Sequence, residues 1–194
     1  MQPLIVSYYN ENSVYEKEAT ELAESCKNFG LEYEIGAIHE EPCLKPTFLL
    51  AALEKFNRPL IWTDIDSIFV QDPILLKECK ADVAFRINDN VPIDSPLKML
   101  TSTMFINNTL SAKKLLSFWK KECEKLLKQD SNALDQVALR KVVLHYPTIV
   151  EIKRLPMTYV TVTDNAEDRL AYPDNAVIVH HELSRIYNSE PVSV

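Results

Sequence analysis

Leu60-Ile61-Trp62-Thr63-Asp64-Ile65-Asp66-Ser67-Ile68-Phe69 sets two carboxylates, one residue apart, at the end of an apolar β-type run. In an extended chain alternate side chains share a face, so Asp64 and Asp66 project the same way from a strand tip. Like charges this close disfavour joint ionisation unless something positive sits between them. A divalent cation meets that need. Oxygen ligands suit Mg²⁺ or Mn²⁺, which often complete their shells with substrate phosphates. The alternative is a strand end whose aspartates cap the next turn, and the flanking sequence has to choose between the two.

Upstream, Leu4-Ile5-Val6 opens a strand ending at Ser7-Tyr8-Tyr9-Asn10, and Tyr15, Ala19, Leu22, Ala23, Cys26 and Phe29 then recur at helical spacing until Gly30. Tyr33 to Ile38 reads as a second strand. A helix follows from Pro46, a good first-turn residue, through Leu49, Leu50, Leu53 and Phe56. Strand, helix, strand, helix, strand predicts a wound, largely parallel sheet, and such sheets gather ligands at the carboxyl ends of their strands. Asp64 and Asp66 stand at such an end.

Downstream, Asp72-Pro73 starts a helical turn, Asp82 to Arg86 reads as a strand, and the polar segment 88–98 reads as a loop able to act as a lid. Thr103 to Asn107 reads as the next strand. Ala112, Leu115, Leu116, Trp119, Cys123, Leu126 and Leu127 mark a long amphipathic helix from Ser111, with a second helix from Asn132 to Val142. Strands are expected at 150–155 and 177–180. The last of these places His180 at a strand exit, where an imidazole can complete a metal site; His181 serves instead if the backbone turns. Lys45, beside the helix that precedes the aspartates, is a candidate to neutralise a phosphate, and Asp135-Gln136 are polar where the amphipathic pattern does not require it.

Composition narrows the partners. The formal charge of −7 argues against a nucleic-acid backbone. The 46% hydrophobic and 25% charged content is that of a globular protein, and 194 residues suit a single domain over 1–194. No run approaches the roughly 20 apolar residues of a membrane span. Met-Gln-Pro-Leu-Ile-Val lacks the basic start and apolar core of a signal peptide, so a cytoplasmic protein is expected. Cys26, Cys43, Cys79 and Cys123 are too scattered to signal zinc or a disulfide framework. Asn107-Asn108-Thr109 matches a glycosylation sequon but lies in an apolar segment, and it is discounted. With only two glycines, at 30 and 36, no glycine-rich phosphate cradle exists, so phosphates would need side chains or a metal.

Taken in order, these features resemble the small nucleotide-diphospho-sugar transferases of the GT-A type, a class that includes the glycogenin-like enzymes. Ser7-Tyr8-Tyr9 with the following helix resembles their opening nucleotide-binding unit. Lys45-Pro46 before Asp64-Ile65-Asp66 is similar to their K-P helix and metal-binding D-x-D strand. Thr101-Ser102-Thr103 resembles a segment reading S-G-T in many members, here with Ser102 in the glycine position, which brings a side chain toward the sugar pocket. Asp135-Gln136 resembles the D-Q of the helix lining the reaction centre, and Val177 to His181 with Ser184-Arg185 resembles the closing strand that gives the third metal ligand.

The resemblance implies a GT-A (Rossmann-like) three-layer α/β/α fold with a mostly parallel, mixed central sheet. It implies Mn²⁺ or Mg²⁺ on Asp64, Asp66 and His180, and a UDP- or GDP-sugar held by Ser7, Tyr8, Tyr9, Lys45, Asp64, Ser102, Thr103 and Arg185. Asp135 and Gln136 would face the transferred hexose or pentose, bound for a glycan, lipid or protein acceptor. Two alternatives remain. One is a catalytically silent nucleotide-sugar-binding module. The other is a haloacid-dehalogenase-type phosphohydrolase, which Asp64-Ile65-Asp66-Ser67-Ile68 fits poorly, since that motif sits on a first strand with Thr or Val where Ile68 stands.

Overall fold

A computed structural model describes residues 1–11, 13–38, 43–163 and 172–181. The chain opens with β1 (Leu4–Asn10), α1 (Tyr15–Asn28), β2 (Tyr33–Ile38), α2 (Lys45–Phe56) and β3 (Leu60–Thr63), the alternation expected. Gly30 follows α1 at φ 62°, a left-handed position that suits glycine, and its N–H closes on the Lys27 carbonyl at 3.0 Å. There follow β4 (Ser67–Phe69), α3 (Ile74–Lys77), β5 (Val83–Ile87), β6 (Met99–Ile106), α4 (Leu110–Leu127), α5 (Asp135–His145), β7 (Ile152–Arg154), β8 (Thr161–Val162) and β9 (Ile178–His180).

Six strands form the central sheet in the order β2-β1-β3-β6-β5-β7. Pairing is parallel except on either side of β6, which runs against both β3 and β5. One sheet face carries Val6, Tyr8, Trp62, Phe85 and Met104 under α2, α4 and α5. The other carries Ile5, Ile61, Ala84 and Phe105 under α1, α3 and a second sheet of order β4-β9-β8. The second layer is therefore part helix and part small sheet. β4 and β8 were not expected: at three and two residues they are too short to show a period, and they exist through pairing with β9.

Two boundaries also differ from expectation for tertiary reasons. β6 begins at Met99 rather than Thr103, because Met99 and Leu100 pair with Ile87 and Arg86 before the register shifts. α5 begins at Asp135, since Leu134 keeps an extended backbone (ψ 135°), so the segment 132–134 is not helix. The loop after β5 is tied down: Arg154 and Lys98 both pair with Asp89, and Arg140 donates to the Asp94 carbonyl.

α4 forms as its periodicity requires, burying Ala112, Leu115, Leu116, Trp119, Cys123 and Leu126 along one stripe. Each large side chain so buried is worth roughly 1.5–3 kcal/mol. Its N-cap is Thr109, whose hydroxyl accepts from Ala112 N–H at 3.1 Å and donates to Asp82 at 2.6 Å; Asp82 in turn accepts from Glu151 N–H at 2.9 Å. Thr109→Ala removes the cap and one partner of Asp82 together. It is expected to cost about 1–2 kcal/mol, read as a lower urea midpoint at unchanged m-value. The amide of Asn107, the sequon residue, donates to the Ala81 carbonyl at 3.2 Å, consistent with a structural rather than a modified asparagine.

Candidate functional site

The two aspartates do not share an extended face. β3 ends at Thr63, and a turn follows in which Ser67 N–H and Oγ both close on the Asp64 carbonyl, at 3.2 and 2.6 Å. Asp64 N–H donates to the Ser102 carbonyl and His181 N–H to the Asp66 carbonyl, each at 2.9 Å. The turn is therefore fastened to β6 and to the end of β9. The resulting convergence is what the D-x-D spacing led us to expect, reached by a different backbone path.

β9 brings in the third group. One ligand atom from each of Asp64, Asp66 and His180 can be chosen so that all lie within 4.8 Å of one another. His180 is 2% exposed, its Nε2 meets the Thr103 hydroxyl at 2.9 Å, and its Nδ1 has no hydrogen-bond partner among the described residues. A buried, orphaned ring nitrogen is costly unless a ligand is expected there. Burial, reinforced by Lys45 and His181, lowers the His180 pKa to about 3, so the ring is neutral and able to coordinate at physiological pH. His181 is engaged elsewhere, with Nδ1 3.2 Å from Thr163 Oγ1. His180, and not His181, is therefore the histidine of the candidate cluster. Two carboxylates and one imidazole make a donor set that fits Mn²⁺ or Mg²⁺.

Thr103 can hold His180 because β6 changes phase beside it. Leu100 and Phe105 face the α1 side, and Met99, Met104 and Ile106 the α2 side, which leaves one slip near Ser102 where the pairing with β5 shifts register. The slip turns Thr103 toward His180 and Thr101 toward Asp135, whose carboxylate its hydroxyl meets at 3.2 and 3.3 Å. Replacing Thr103 with valine keeps the shape and removes the bond that orients the ring. Manganese affinity measured by calorimetry is expected to fall about 10–100-fold.

Lys45 occupies the opposite wall. Its Nζ lies 3.0 Å from Asp64, 3.2 Å from Asp135 and 3.1 Å from the Thr101 carbonyl, with the side chain 10% exposed. Burial acts to lower its pKa, but Asp135 and then Asp64 outweigh this and hold the ammonium charged. Asp64 also accepts from Trp62 Nε1 at 2.9 Å. Burial and the nearby Asp135 still raise the Asp64 pKa against the pull of Lys45, although 37% of its side chain reaches solvent. Asp64 and Asp135 share one buried ammonium, so the group keeps a net negative charge that a divalent ion would offset.

Lys45, Asp64, Asp66 and Asp135 line a cavity of about 490 Å³, and His180 stands behind its lining residues rather than among them. Tyr8, Tyr9, Tyr15, Trp62 and Ile65 bring aromatic and apolar surface to it, Asp64, Asp66, Lys45 and Asp135 bring charge, and Cys43, Leu44, Asn132, Ala133 and Leu134 complete its lining. Tyr8 packs at 5.0 Å from both Phe48 and Trp62, so it serves wall and core together.

Other expected site residues sit differently. Ser7 is fully buried and donates to the Thr63 carbonyl at 2.7 Å, a tie between β1 and β3 rather than a lining group. Thr103 is fully buried behind His180. Ser102 and Gln136 are not among the lining residues, and Ser102 has no left-handed backbone, so the fold places no demand for glycine there. Arg185 lies outside the described residues. Thr101 and Trp62 were missed as site residues. Trp62 carried a signal, an indole two residues before Asp64 in a strand; Thr101 carried none, because its direction depends on the slip in β6.

The solved structure of a glycosyltransferase involved in the glycosylation of the major capsid of PBCV-1 is similar in fold, with a TM-score of 0.60 at 16% identity over 93% of this chain and 92% of that one. No curated protein matches the chain. The family model of nucleotide-diphospho-sugar transferases matches residues 43–187, a span that contains Lys45, both aspartates, Asp135 and His180. The chain belongs to the nucleotide-diphospho-sugar transferase family.

Proposed function

We propose that this protein is a divalent-metal-dependent glycosyltransferase that takes a UDP- or GDP-sugar and delivers its hexosyl or pentosyl group to a glycan, lipid or protein acceptor. The observation that carries the metal dependence is the meeting of Asp64, Asp66 and His180, with His180 Nδ1 left open. Manganese or magnesium held by these residues would supply Lewis-acid stabilisation of the departing diphosphate.

The remaining work falls to side chains. Tyr8 and Tyr9 offer aromatic surface to the nucleoside. Lys45 fixes the spacing of Asp64 and Asp135 and offsets part of their negative charge, so its part is electrostatic, through the two carboxylates that it bridges. Asp135, at the first turn of α5, presents its carboxylate where the sugar would lie, oriented by Lys45 and Thr101. The thiols of four free cysteines favour a reducing compartment such as the cytoplasm. No helix among the described residues is long and apolar enough to cross a membrane.

Incubation of the chain with UDP-, GDP- and CMP-sugars tests the activity. With Mn²⁺ present, one UDP- or GDP-sugar is expected to release its nucleoside diphosphate slowly to water, and chelation should stop it. Metal-dependent binding without any release, with water or with added sugar acceptors, would leave a silent binding module. A phosphoryl group trapped covalently on Asp64 would instead indicate a phosphohydrolase.

A further inference from the structure

Arg86 has no part in the chemistry above, and its guanidinium is left largely unspent. Nη1 donates to the Leu155 carbonyl at 3.4 Å, a long bond, while Nε is enclosed with no hydrogen-bond partner. No carboxylate forms an ion pair with it among the described residues. A half-buried cation with five donors and one long bond is incomplete until an anion joins it. The neighbours add to its charge. Lys98 and Arg154 share one aspartate, Asp89, and Arg140 donates to the Asp94 carbonyl. Four cations therefore stand against the two carboxylates of Asp89 and Asp94, a positive spot on a chain whose formal charge is −7.

The position of Arg86 ties this spot to the metal cluster. β1, β3, β6 and β5 are consecutive in the central sheet, and β3 and β5 both run against β6. Arg86, next to last in β5, thus stands at the edge where β3 gives way to the aspartates. Phe85 and Ile87 belong to the core under α2, and Ala84 to the core under α1, so alternation sets Arg86 on the α1 side. Thr103 and His180 meet on that same side. Residues 101–103 of β6 fall between the partners of Phe85 and Arg86, which are Met104 and Leu100. Of these three, Ser102 fastens Asp64 and Thr103 fastens His180. Arg86 therefore flanks the metal cluster on the β5 side, as Tyr8 and Tyr9 flank it on the β1 side.

We propose that Arg86 binds an anionic group, a carboxylate or a phosphate, on the acceptor sugar, and so makes a charged acceptor the preferred second substrate. The planar guanidinium fork matches two oxygens of either group. That the anion belongs to the acceptor rests on the function proposed above. The donor's transferred sugar lies beside Asp64, Asp66 and Asp135, where a further negative charge is repelled, and its diphosphate is met by the metal. The acceptor approaches that sugar from the β5 side, away from the nucleoside, and passes Arg86 with Lys98, Arg140 and Arg154 around it.

The test offers the full chain, with Mn²⁺ and the donor it hydrolyses, methyl hexosides that differ at one carbon: the neutral sugar, its uronide and its 6-phosphate. For one anionic acceptor kcat/KM is expected to exceed that of the neutral sugar about 10–100-fold, the range that hydrogen bonds to a charged group supply. Whichever arm gains, uronide or phosphate, identifies the anion. In Arg86→Gln the ratio should fall to near one. Arg86→Lys, which keeps the charge without the fork, should lose part of the ratio and serves if the first variant does not fold. A wild-type ratio near one, or a ratio unchanged in either variant, overturns the assignment. Melting of the chain in chelator with the same three compounds reads the site without transfer. A rise specific to an anionic compound and lost in Arg86→Gln upholds the anion site even when no donor is consumed, an outcome that counts against the proposed function alone. Equal melting with all three compounds and no transfer to any of them overturns the site as well.

Discussion

Asp66→Ala is expected to abolish the metal-dependent stabilisation of this protein by its nucleotide-sugar while leaving the fold in place. In the wild type a donor at about a hundredfold its Kd, with Mn²⁺ present, should raise the melting temperature by about 5–10 °C, the shift that linkage gives for a chain of this size. In the variant that rise should vanish, because losing a direct ligand costs at least the roughly 10–100-fold in metal affinity that follows from disturbing a residue behind one. Asp66 is more diagnostic than Asp64. Asp64 accepts from Lys45 and Trp62, so its removal also takes one of two carboxylate partners from a buried ammonium. Without metal, Asp66→Ala should melt within a few degrees of the wild type, since the side chain is only partly buried and no core packing is lost. An unchanged metal-dependent rise in the variant would place the ion elsewhere.

Lys45→Met is expected to give the largest loss of stability. The ammonium is almost wholly enclosed and pairs with Asp64 and Asp135 at once. Methionine preserves most of the volume but leaves two carboxylates uncompensated, and removing one partner of a buried ion pair costs about 3–5 kcal/mol. For a chain of this length that lowers the melting temperature by about 6–20 °C. Adding Asp135→Asn should restore part of the loss, with a coupling of about 0.5–3 kcal/mol in the double-mutant cycle. Independent, additive effects in that cycle would show that Lys45 is not the clamp described here.

Much of the fold was legible in the sequence because its early units keep their own periods. β1, α1, β2, α2 and β3 follow from hydrophobic spacing and from Gly30 and Pro46, and they fix where the D-x-D turn must stand. Legibility fails where tertiary pairing overrides local pattern. The phase slip in β6 hides its first four residues and decides that Thr101 and Thr103 face opposite sides, which no period-2 reading gives. β4 and β8 are strands only because β9 lies between them.

Within the site, residue types were easier to read than their contacts. Asp64, Asp66 and His180 could be named as candidate ligands because the aspartates follow the end of β3 and the histidine ends β9. That Lys45 would be shared between two aspartates, and Ser7 wholly enclosed, depends on side chains packing across three elements.

The central claim is that the cavity binds a nucleotide-sugar through a cation held by Asp64, Asp66 and His180. Isothermal titration of UDP- and GDP-sugars into the reduced chain, with Mn²⁺ and with chelator, tests it most directly. Saturable binding of one nucleotide-sugar is expected in the presence of Mn²⁺, lost with chelator and lost in Asp66→Ala. Binding of equal strength with and without the metal, or none to a folded sample from either donor class, would contradict it.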